Sequence, residues 1–145
     1  MEIKTDLENY KCVLVIDSTM PTGVIANTAA VLSMTIGKNC PELIGHDIKD
    51  RSGVTHKGIT CLPIPILASD KKDIPKIISK VKSYGEGDVL LVDFTTLAKS
   101  CASYDEYEEK LTANGLVRPL EYIGIAIIGQ KSIINKCTGN LKLIR

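Results

Sequence analysis

The fold is decided by residues 10–37, which read YKCVLVIDSTMPTGVIANTAAVLSMTIG. Lys11–Asp17 predicts a strand, because its five consecutive apolar residues show no alternation. This pattern is typical of a strand that is covered on both faces of a sheet. Turn-forming residues follow, with Thr22 in the expected N-cap position of a helix. Gly37 is the expected end of that helix.

The predicted helix carries one apolar stripe that can lie on a sheet. Its members recur at helical spacing and are Ile25, Ala29, Leu32 and Ile36. Asn27 is a polar residue within this helix. We expect its amide either to bond a neighbouring strand or to face a ligand in the crevice at the end of the sheet. Thr22 would line the same crevice.

The rest of the chain continues the alternation of strands and helices. Pro63 and Pro65 place part of the extended stretch at an edge, because proline cannot donate to a ladder. The pattern predicts a single domain over residues 1–145, with three α/β/α layers around a mixed, mostly parallel sheet of about four strands. The further predicted segments are extended Ile59–Ala68, helix Lys71–Tyr84, strand Asp88–Phe94, a helix from Thr95 to about Ala102, helix Tyr104–Ala113 closed by Asn114-Gly115, strand Leu120–Gly129, helix Lys131–Cys137 and an extended tail Leu141–Ile144.

Composition excludes some classes of function. Aromatic residues make up 4% of the 145 residues, so stacking platforms for single-stranded nucleic acid are scarce. The net charge is +1, without the basic excess of a phosphate-binding surface. A tRNA partner is therefore possible but not favoured. The first ten residues are too polar for a signal peptide, and no apolar run approaches the ~20 residues that span a bilayer. We expect a cytoplasmic protein without a membrane partner.

The cysteines predict free thiols in a reducing compartment. They number five, an odd count, and no two are spaced CxxC. Cys12, Cys61 and Cys137 lie in apolar segments, where we expect them to be buried or half-buried. A catalytic thiol, if there is one, would be Cys40 or Cys101, which lie near turns.

Two aspartates end predicted buried strands. Asp17 and Asp93 would share one end of the sheet if their strands are adjacent. Close carboxylates raise each other's pKa and can form an acid–base pair; alternatively each caps the turn that follows it. Thr95 and Thr96 are expected either to cap a helix or to line the same crevice.

The loop from residue 45 to 58 is the most polar stretch of the chain. His46, Asp47, Asp50 and His56 are of residue types that bind metals, but their spacing matches no standard site. Asp50 is expected to hold a turn through its side chain. His56 is the better candidate for a functional residue, since histidine titrates near neutral pH. We expect no cofactor.

Several motifs resemble known families. The apolar strand ending at Gly129, the short helix and the T-G-x-L-K-L pattern of residues 138–143 resemble the ending of type 2 peptidyl-tRNA hydrolases. Over nearly the whole chain, MPTGVIANTAAVLS, the loop G-x-D-x-x-D-x-x-G-x-x-H, PIPIL, DFT and YxGIAxxG resemble the domain-of-unknown-function 2000 family. These resemblances imply the peptidyl-tRNA-hydrolase-II-like fold, in which homodimers are common.

Few of the hydrolase's functional residues are present at the matched positions of this sequence. The position of the hydrolase's catalytic Lys, after the Gly that opens the first helix, is Val24 here. Asp93 matches the Asp at the end of the hydrolase's third strand. The positions of its two Thr residues are Leu97 and Gly124 here. The resemblance therefore implies the fold more strongly than the reaction.

Three functions stay open from the sequence. The first is binding of a small ligand in the strand-end crevice, by a relative that has lost the Lys. The second is a hydrolase with a divergent active site. The third is a non-enzymatic homodimeric interaction protein, with the apolar edge Leu62–Leu67 as its interface. The sequence does not decide whether the protein is an enzyme.

Overall fold

Strands and helices alternate along the chain in the predicted order. The structure is a computed structural model, and it describes residues 7–114 and 119–145. The predicted closure of a helix at Asn114-Gly115 lies partly outside these residues. The elements are β1 Tyr10–Asp17, α1 Thr22–Asn39, β2 Ile48–Lys49, β3 Thr55–His56, β4 Ile66–Ser69, α2 Ile74–Lys82, β5 Val89–Thr95, α3 Thr96–Ser100, α4 Tyr104–Asn114, β6 Tyr122–Gln130 and α5 Lys131–Thr138, with short 3-10 helices at Leu7–Asn9 and Pro41–Leu43.

The main sheet is mixed, as predicted, but not mostly parallel. Within the described residues it has four strands in the order β4-β1-β6-β5. Only the pair β1–β4 is parallel, because β6 runs antiparallel to both of its neighbours. The prediction of a mostly parallel sheet was wrong because a buried antiparallel strand shows the same unbroken apolar run as a parallel one. Strands β1, β4 and β5 still point in one direction.

Helices cover both faces of this sheet. Alternate residues of β1 enter two separate cores, with Leu14 on one face and Val15 on the other. Leu32 and Ile36 of α1 pack into the first core, as the predicted stripe requires. Helices α2 and α5 supply the second core through residues such as Ile78 and Ile134. The sheet is therefore the middle of three layers.

The first helix begins and ends differently from the prediction. Pro21 is its N-cap residue and there is no side-chain cap, so Thr22 is the first helical residue instead of the cap. The amide of Val24 bonds the Pro21 carbonyl at 3.0 Å, which fixes this start. The helix passes through Gly37 and ends at Asn39, because Cys40 N–H closes its last turn on Ile36 O at 2.8 Å.

The polar loop folds as a hairpin. Strands β2 and β3 pair antiparallel, with Ile48 opposite His56. At the base of the hairpin, the backbones of Gly45 and Gly58 approach so closely that a Cβ on Gly58 would lie 1.7 Å from Gly45 O. Glycine at position 58 is therefore required by this contact.

The C-terminal residues cover the outer edge of β4. Ala68 N–H donates to Lys142 O at 2.8 Å, and Ile144 N–H donates to Ile66 O at 2.9 Å. Pro63 and Pro65 precede this outer strand, as expected for residues that cannot donate to a ladder. The stretch that was expected to form a dimer edge is thus paired, at β4, with the chain's own tail.

No helix within residues 7–114 and 119–145 has the length and apolar character needed to cross a membrane.

Candidate functional site

Asp17 and Asp93 lie at the same end of the sheet, because their strands β1 and β5 run in the same direction. Strand β6 separates them: Asp93 pairs with Ile125, which pairs with Val15, two residues before Asp17. A strand spacing of about 4.8 Å and a rise of about 3.3 Å per residue put the two Cα atoms roughly 11–12 Å apart. The sheet therefore brings the two carboxylates to one rim but does not form a close acid–base pair.

Asp17 has a structural role in the turn after β1. Its side chain is buried, and its Oδ1 accepts hydrogen bonds from Thr19 N–H at 3.0 Å and from Thr19 Oγ1 at 2.7 Å. These two bonds fix the turn that leads into α1. The turn-capping alternative for Asp17 is thus the one that the structure supports.

Asp93 differs from Asp17 in having no such partner. It is exposed at the end of β5, and it forms none of the ion pairs or side-chain hydrogen bonds found among residues 7–114 and 119–145. Packing around its carboxyl group raises its pKa by desolvation, and the nearby Lys82 ammonium opposes part of that shift. Asp93 is thus a carboxylate without a directly bonded partner among the described residues, with Lys82 as a more distant positive charge.

Two tyrosines lie within electrostatic reach of this carboxylate. Desolvation raises the pKa of Tyr107 and of Tyr122, and the negative charge of Asp93 raises both further. Tyr107 comes from α4, Tyr122 opens β6 and Lys82 ends α2. Three separate elements therefore contribute groups near Asp93. The sequence alone does not predict that either tyrosine or Lys82 lies beside Asp93. No signal in the sequence brings α2 and α4 to this point, although Tyr122 directly precedes a buried strand.

A groove of about 580 Å³ opens beside these residues. Its walls combine apolar side chains of α2 and β5 with the charged groups Lys82, Glu86 and Asp93. The groove thus offers an apolar surface with Asp93 at its end. Its lining residues are Val81, Lys82, Gly85, Glu86, Val89, Leu90, Leu91 and Asp93.

The other residues predicted for the crevice do not join Asp93 as binding groups. Thr22 and Asn27 are exposed on α1, and the buried polar residue of that helix is Thr28, whose hydroxyl donates to Val24 O at 2.7 Å. Thr95 is buried, and its Oγ1 accepts from Ala98 N–H at 3.2 Å as the cap of α3. Thr96 is half-buried in the first turn of α3. The capping alternative thus describes Thr95.

The polar hairpin holds its charged groups in pairs. Asp50 Oδ1 accepts from the backbone and hydroxyl of Ser52, and its Oδ2 lies 2.8 Å from His56 Nε2. Asp47 pairs with Lys57 at 2.7 Å and accepts from Gly58 N–H at 3.0 Å. Asp50 therefore holds the turn, as expected.

The suggested metal ligands of this hairpin do not form a site. His46, Asp47, Asp50 and His56 are all exposed. Among the residues that the structure describes, no group of three or more His, Cys, Asp or Glu is placed to hold a metal ion. A role for His56 other than its bond to Asp50 stays a prediction.

The cysteines are free, and their burial differs in one place from the expectation. Cys12, Cys40 and Cys137 are buried, whereas Cys61 is exposed because its segment passes over the surface before β4 begins. Burial raises the pKa of Cys12 to about 11 and also raises the pKa of Cys40. Cys101 donates to Leu97 O at 3.2 Å. A buried Cys40 with a raised pKa is a poor nucleophile.

Comparison with known proteins gives a family and a fold. The family model described as protein of unknown function (DUF2000) matches residues 10–145. The chain belongs to this family. No curated protein matches the chain.

A solved structure shares the fold of this DUF2000 chain. It is the protein of unknown function Atu0240 from Agrobacterium tumefaciens strain C58, with 18% sequence identity and a TM-score of 0.81. The match covers 93% of this chain and 97% of the other. At this identity the likeness concerns the fold alone.

Val24 of α1 and Gly124 of β6 both contact the core of the DUF2000 chain. Val24 is half-buried and packs against the core under α1. A Cβ on Gly124 would lie 3.0 Å from Thr28 Cγ2 and 3.1 Å from Val15 O, so any side chain there would require α1 or β1 to shift slightly. The ammonium group near Asp93 is that of Lys82 on α2.

Proposed function

We propose that this protein is a binding protein, and that it holds a small ligand with a cationic group beside Asp93. The observation that carries this proposal is the exposed, unpaired Asp93 carboxylate, which opens into the groove along β5. A carboxylate that is partly desolvated and has no directly bonded partner favours a cationic ligand. Asp93 itself lies toward the carboxyl end of β5, the end at which open α/β sheets commonly bind ligands.

The chemistry around Asp93 supports a ligand with an ammonium head and an apolar body. Tyr107 and Tyr122 lie near the carboxylate, and aromatic faces attract cations. Val81, Val89 and Leu91 supply apolar wall for the rest of the ligand. Lys82 can donate to a carbonyl or carboxyl oxygen of the same ligand, since its ammonium group is a donor only.

Binding is favoured over peptidyl-tRNA hydrolysis for a physical reason. The resemblance to type 2 peptidyl-tRNA hydrolases supports a common origin, but Val24 cannot supply the ammonium of the hydrolase's Lys. A hydrolase with Lys82 and Asp93 as its charged pair remains the second candidate, because these two groups interact electrostatically. Incubation of the protein at high concentration with peptidyl-tRNA, followed by measurement of release of the peptidyl group, tests that candidate.

Two further features belong to this proposal. A reducing, cytoplasmic setting agrees with five free cysteines. Self-association also remains proposed, as in the resembled fold. The edge of β4 is a poor place for it, since the chain's own residues 142–144 pair there.

The binding proposal is tested with three ligands that share one tail: hexylammonium, hexanoate and hexanol. We expect hexylammonium to raise the thermal midpoint of the protein most, because only it can pair with Asp93. Asp93→Asn should weaken its binding about three- to tenfold. Glu8→Gln, which removes an exposed carboxylate at the far end of β1, should leave binding unchanged. Equal binding of the three ligands, or no effect of Asp93→Asn, would refute the proposal.

A further inference from the structure

The two outer strands of the sheet, β4 and β5, differ in whether another segment pairs with their outer edge. Residues 142–144 pair with the outer edge of β4. Strand β5, at the opposite side, pairs only with β6 within residues 7–114 and 119–145. Its other edge therefore presents backbone N–H and C=O groups without a strand partner, and such an edge is a template for another strand.

Of the features that hinder strand addition, β5 carries one charged residue, Asp93, and a register shift between Phe94 and Thr95, both in its second half. Its sequence, VLLVDFT, contains no proline, no glycine and no lysine over seven residues. Leu90, Leu91 and Val92 are each half-buried, so an added strand would complete their burial. Natural edge strands are commonly short, charged or interrupted by proline where pairing must be avoided.

The groove beside β5 reaches around this edge. Leu90 and Leu91 both line it, although neighbouring side chains of a strand point to opposite faces. A volume of about 580 Å³ accommodates several side chains of an extended segment. The same segment could bond the free backbone edge, which a small apolar molecule cannot do.

The charges around the edge decide which strand fits. Asp88 precedes β5, Asp93 lies near its end, and Glu86 lines the groove, against a single lysine, Lys82. A second copy would bring its own Glu86, Asp88 and Asp93 to an edge that already carries these acidic groups. Two edges of net negative charge repel each other, which disfavours their pairing. A second copy is therefore a poor partner, whereas a strand with basic residues at its ends is complementary.

We propose that the free edge of β5 binds an extended peptide segment of a partner protein, apolar at alternate positions and basic at its ends, as an added strand of the sheet. This inference rests on the proposed function, because Asp93 anchors the cationic group in both. The ligand would be a peptide. Main-chain hydrogen bonds along β5 would bind its backbone, and its alternate side chains would enter the groove.

The probe is the capped peptide acetyl-Lys-Thr-Val-Thr-Val-Thr-Lys-amide, whose lysines and valines share one face. Binding is followed by fluorescence anisotropy, and hydrogen exchange is followed at the amides of Val89–Thr95. Two forms of the peptide are N-methylated, each at one alternate set of residues. Because a strand uses one set of N–H groups on each edge, we expect only one form to lose affinity, by about tenfold or more.

Charge is tested with matched variants. A peptide with glutamates in place of its lysines should bind about three- to tenfold more weakly, and Asp93→Lys should reverse this preference. Glu8→Gln should change neither affinity. At equal peptide concentration, exchange at the β5 amides should slow more with the lysine peptide than with the glutamate peptide.

The outcomes separate this inference from the proposed function. If hexylammonium binds at Asp93 but the peptide leaves the β5 amides unprotected, the inference fails and the proposed function stands. If Asp93→Asn changes the binding of neither hexylammonium nor the peptide, both the inference and the proposed function fail. Equal binding of the two methylated forms overturns strand addition. So does sedimentation that shows a dimer with β5 already protected, which would assign the edge to a second copy.

Discussion

Gly124 of β6 lies directly against Thr28 of α1, and a Cβ on Gly124 would meet Thr28 Cγ2 at 3.0 Å. This contact sets how closely α1 approaches the sheet. A side chain at this position would require Thr28 or the β1 backbone to move by a few tenths of an ångström.

Gly124→Ala should lower the free energy of unfolding by about 1–3 kcal/mol, the usual cost of overpacking a core. Gly124→Thr should cost more, because two further heavy atoms enter the same contact with Thr28 and the β1 backbone. Urea unfolding of each variant measures these changes. Gly37→Ala is the matched control: nothing lies within 4 Å of its added Cβ, and it is helical. Alanine should stabilise that position by about 0.4–1 kcal/mol. Equal effects of Ala at positions 124 and 37 would contradict the contact.

The sequence predicted the layers better than the connections within the sheet. The unbroken apolar run of β1 correctly indicated burial on both faces, because both cores draw on it. The direction of β6 could not be predicted, since burial on both faces erases the alternation that separates strand types. In α1 the expected polar residue was Asn27, but the buried one is Thr28. One residue turns a helix by about 100°, so a shift of one position moves a side chain from solvent to core.

The candidate site was predicted only in part for a related reason. Asp17 and Asp93 could be assigned to one rim from strand ends alone. Lys82, Tyr107 and Tyr122 come from three other elements, and their approach to Asp93 depends on how α2 and α4 pack. Residues brought together by packing between distant elements leave no spacing signal in a single sequence.

Asp17→Ala should destabilise the protein by about 1–3 kcal/mol, because a buried cap is lost and Thr19 N–H is left without its acceptor. Asp17→Asn should cost less, since its amide oxygen can take the place of Oδ1, which accepts both bonds from Thr19. Thermal or urea unfolding at neutral pH measures both. Asp70→Ala is a suitable comparison: its Oδ1 accepts from Lys72 N–H in an exposed turn, so its loss should cost less than that of Asp17. An equal loss would contradict the assigned role of Asp17.

Asp93→Asn should have the opposite effect and leave stability unchanged or slightly higher at neutral pH. Folding raises the pKa of Asp93, so the folded state favours its protonated form. The contribution of Asp93 is therefore most favourable below its unfolded pKa and is lost as pH rises through the folded pKa. An asparagine avoids that loss. Between acid and neutral pH, the free energy of unfolding should fall less in Asp93→Asn than in the parent protein. A clear destabilisation at neutral pH would show that Asp93 has a structural partner.

Gly58→Ala should disrupt the base of the hairpin without unfolding the sheet. The added Cβ would fall 1.7 Å from Gly45 O, so one of the two backbones must move. We expect faster amide exchange at Ile48–Lys49 and Thr55–His56, with β1 and β6 unaffected. Gly87→Ala, whose Cβ meets nothing within 4 Å, is the control and should leave exchange in the hairpin unchanged. Unchanged exchange in Gly58→Ala would mean that the two glycines do not set the hairpin.

Asp50 should titrate at an unusually low pH, and the groups that cause this can be ranked. Hydrogen bonds to Ser52, His56 and the Val54 amide lower its pKa from 3.8 to about 2, with the Ser52 hydroxyl as the largest cause. Ser52→Ala should therefore raise the pKa of Asp50 more than His56→Ala does. Carboxyl-carbon chemical shifts followed during an acid titration measure each value. Because the folded pKa is lowered, the stability that Asp50 contributes is present above 3.8 and is lost as pH falls toward 2. A larger rise in His56→Ala would make the histidine, and not the turn hydroxyl, the main partner of Asp50, and would strengthen the case for a functional His56.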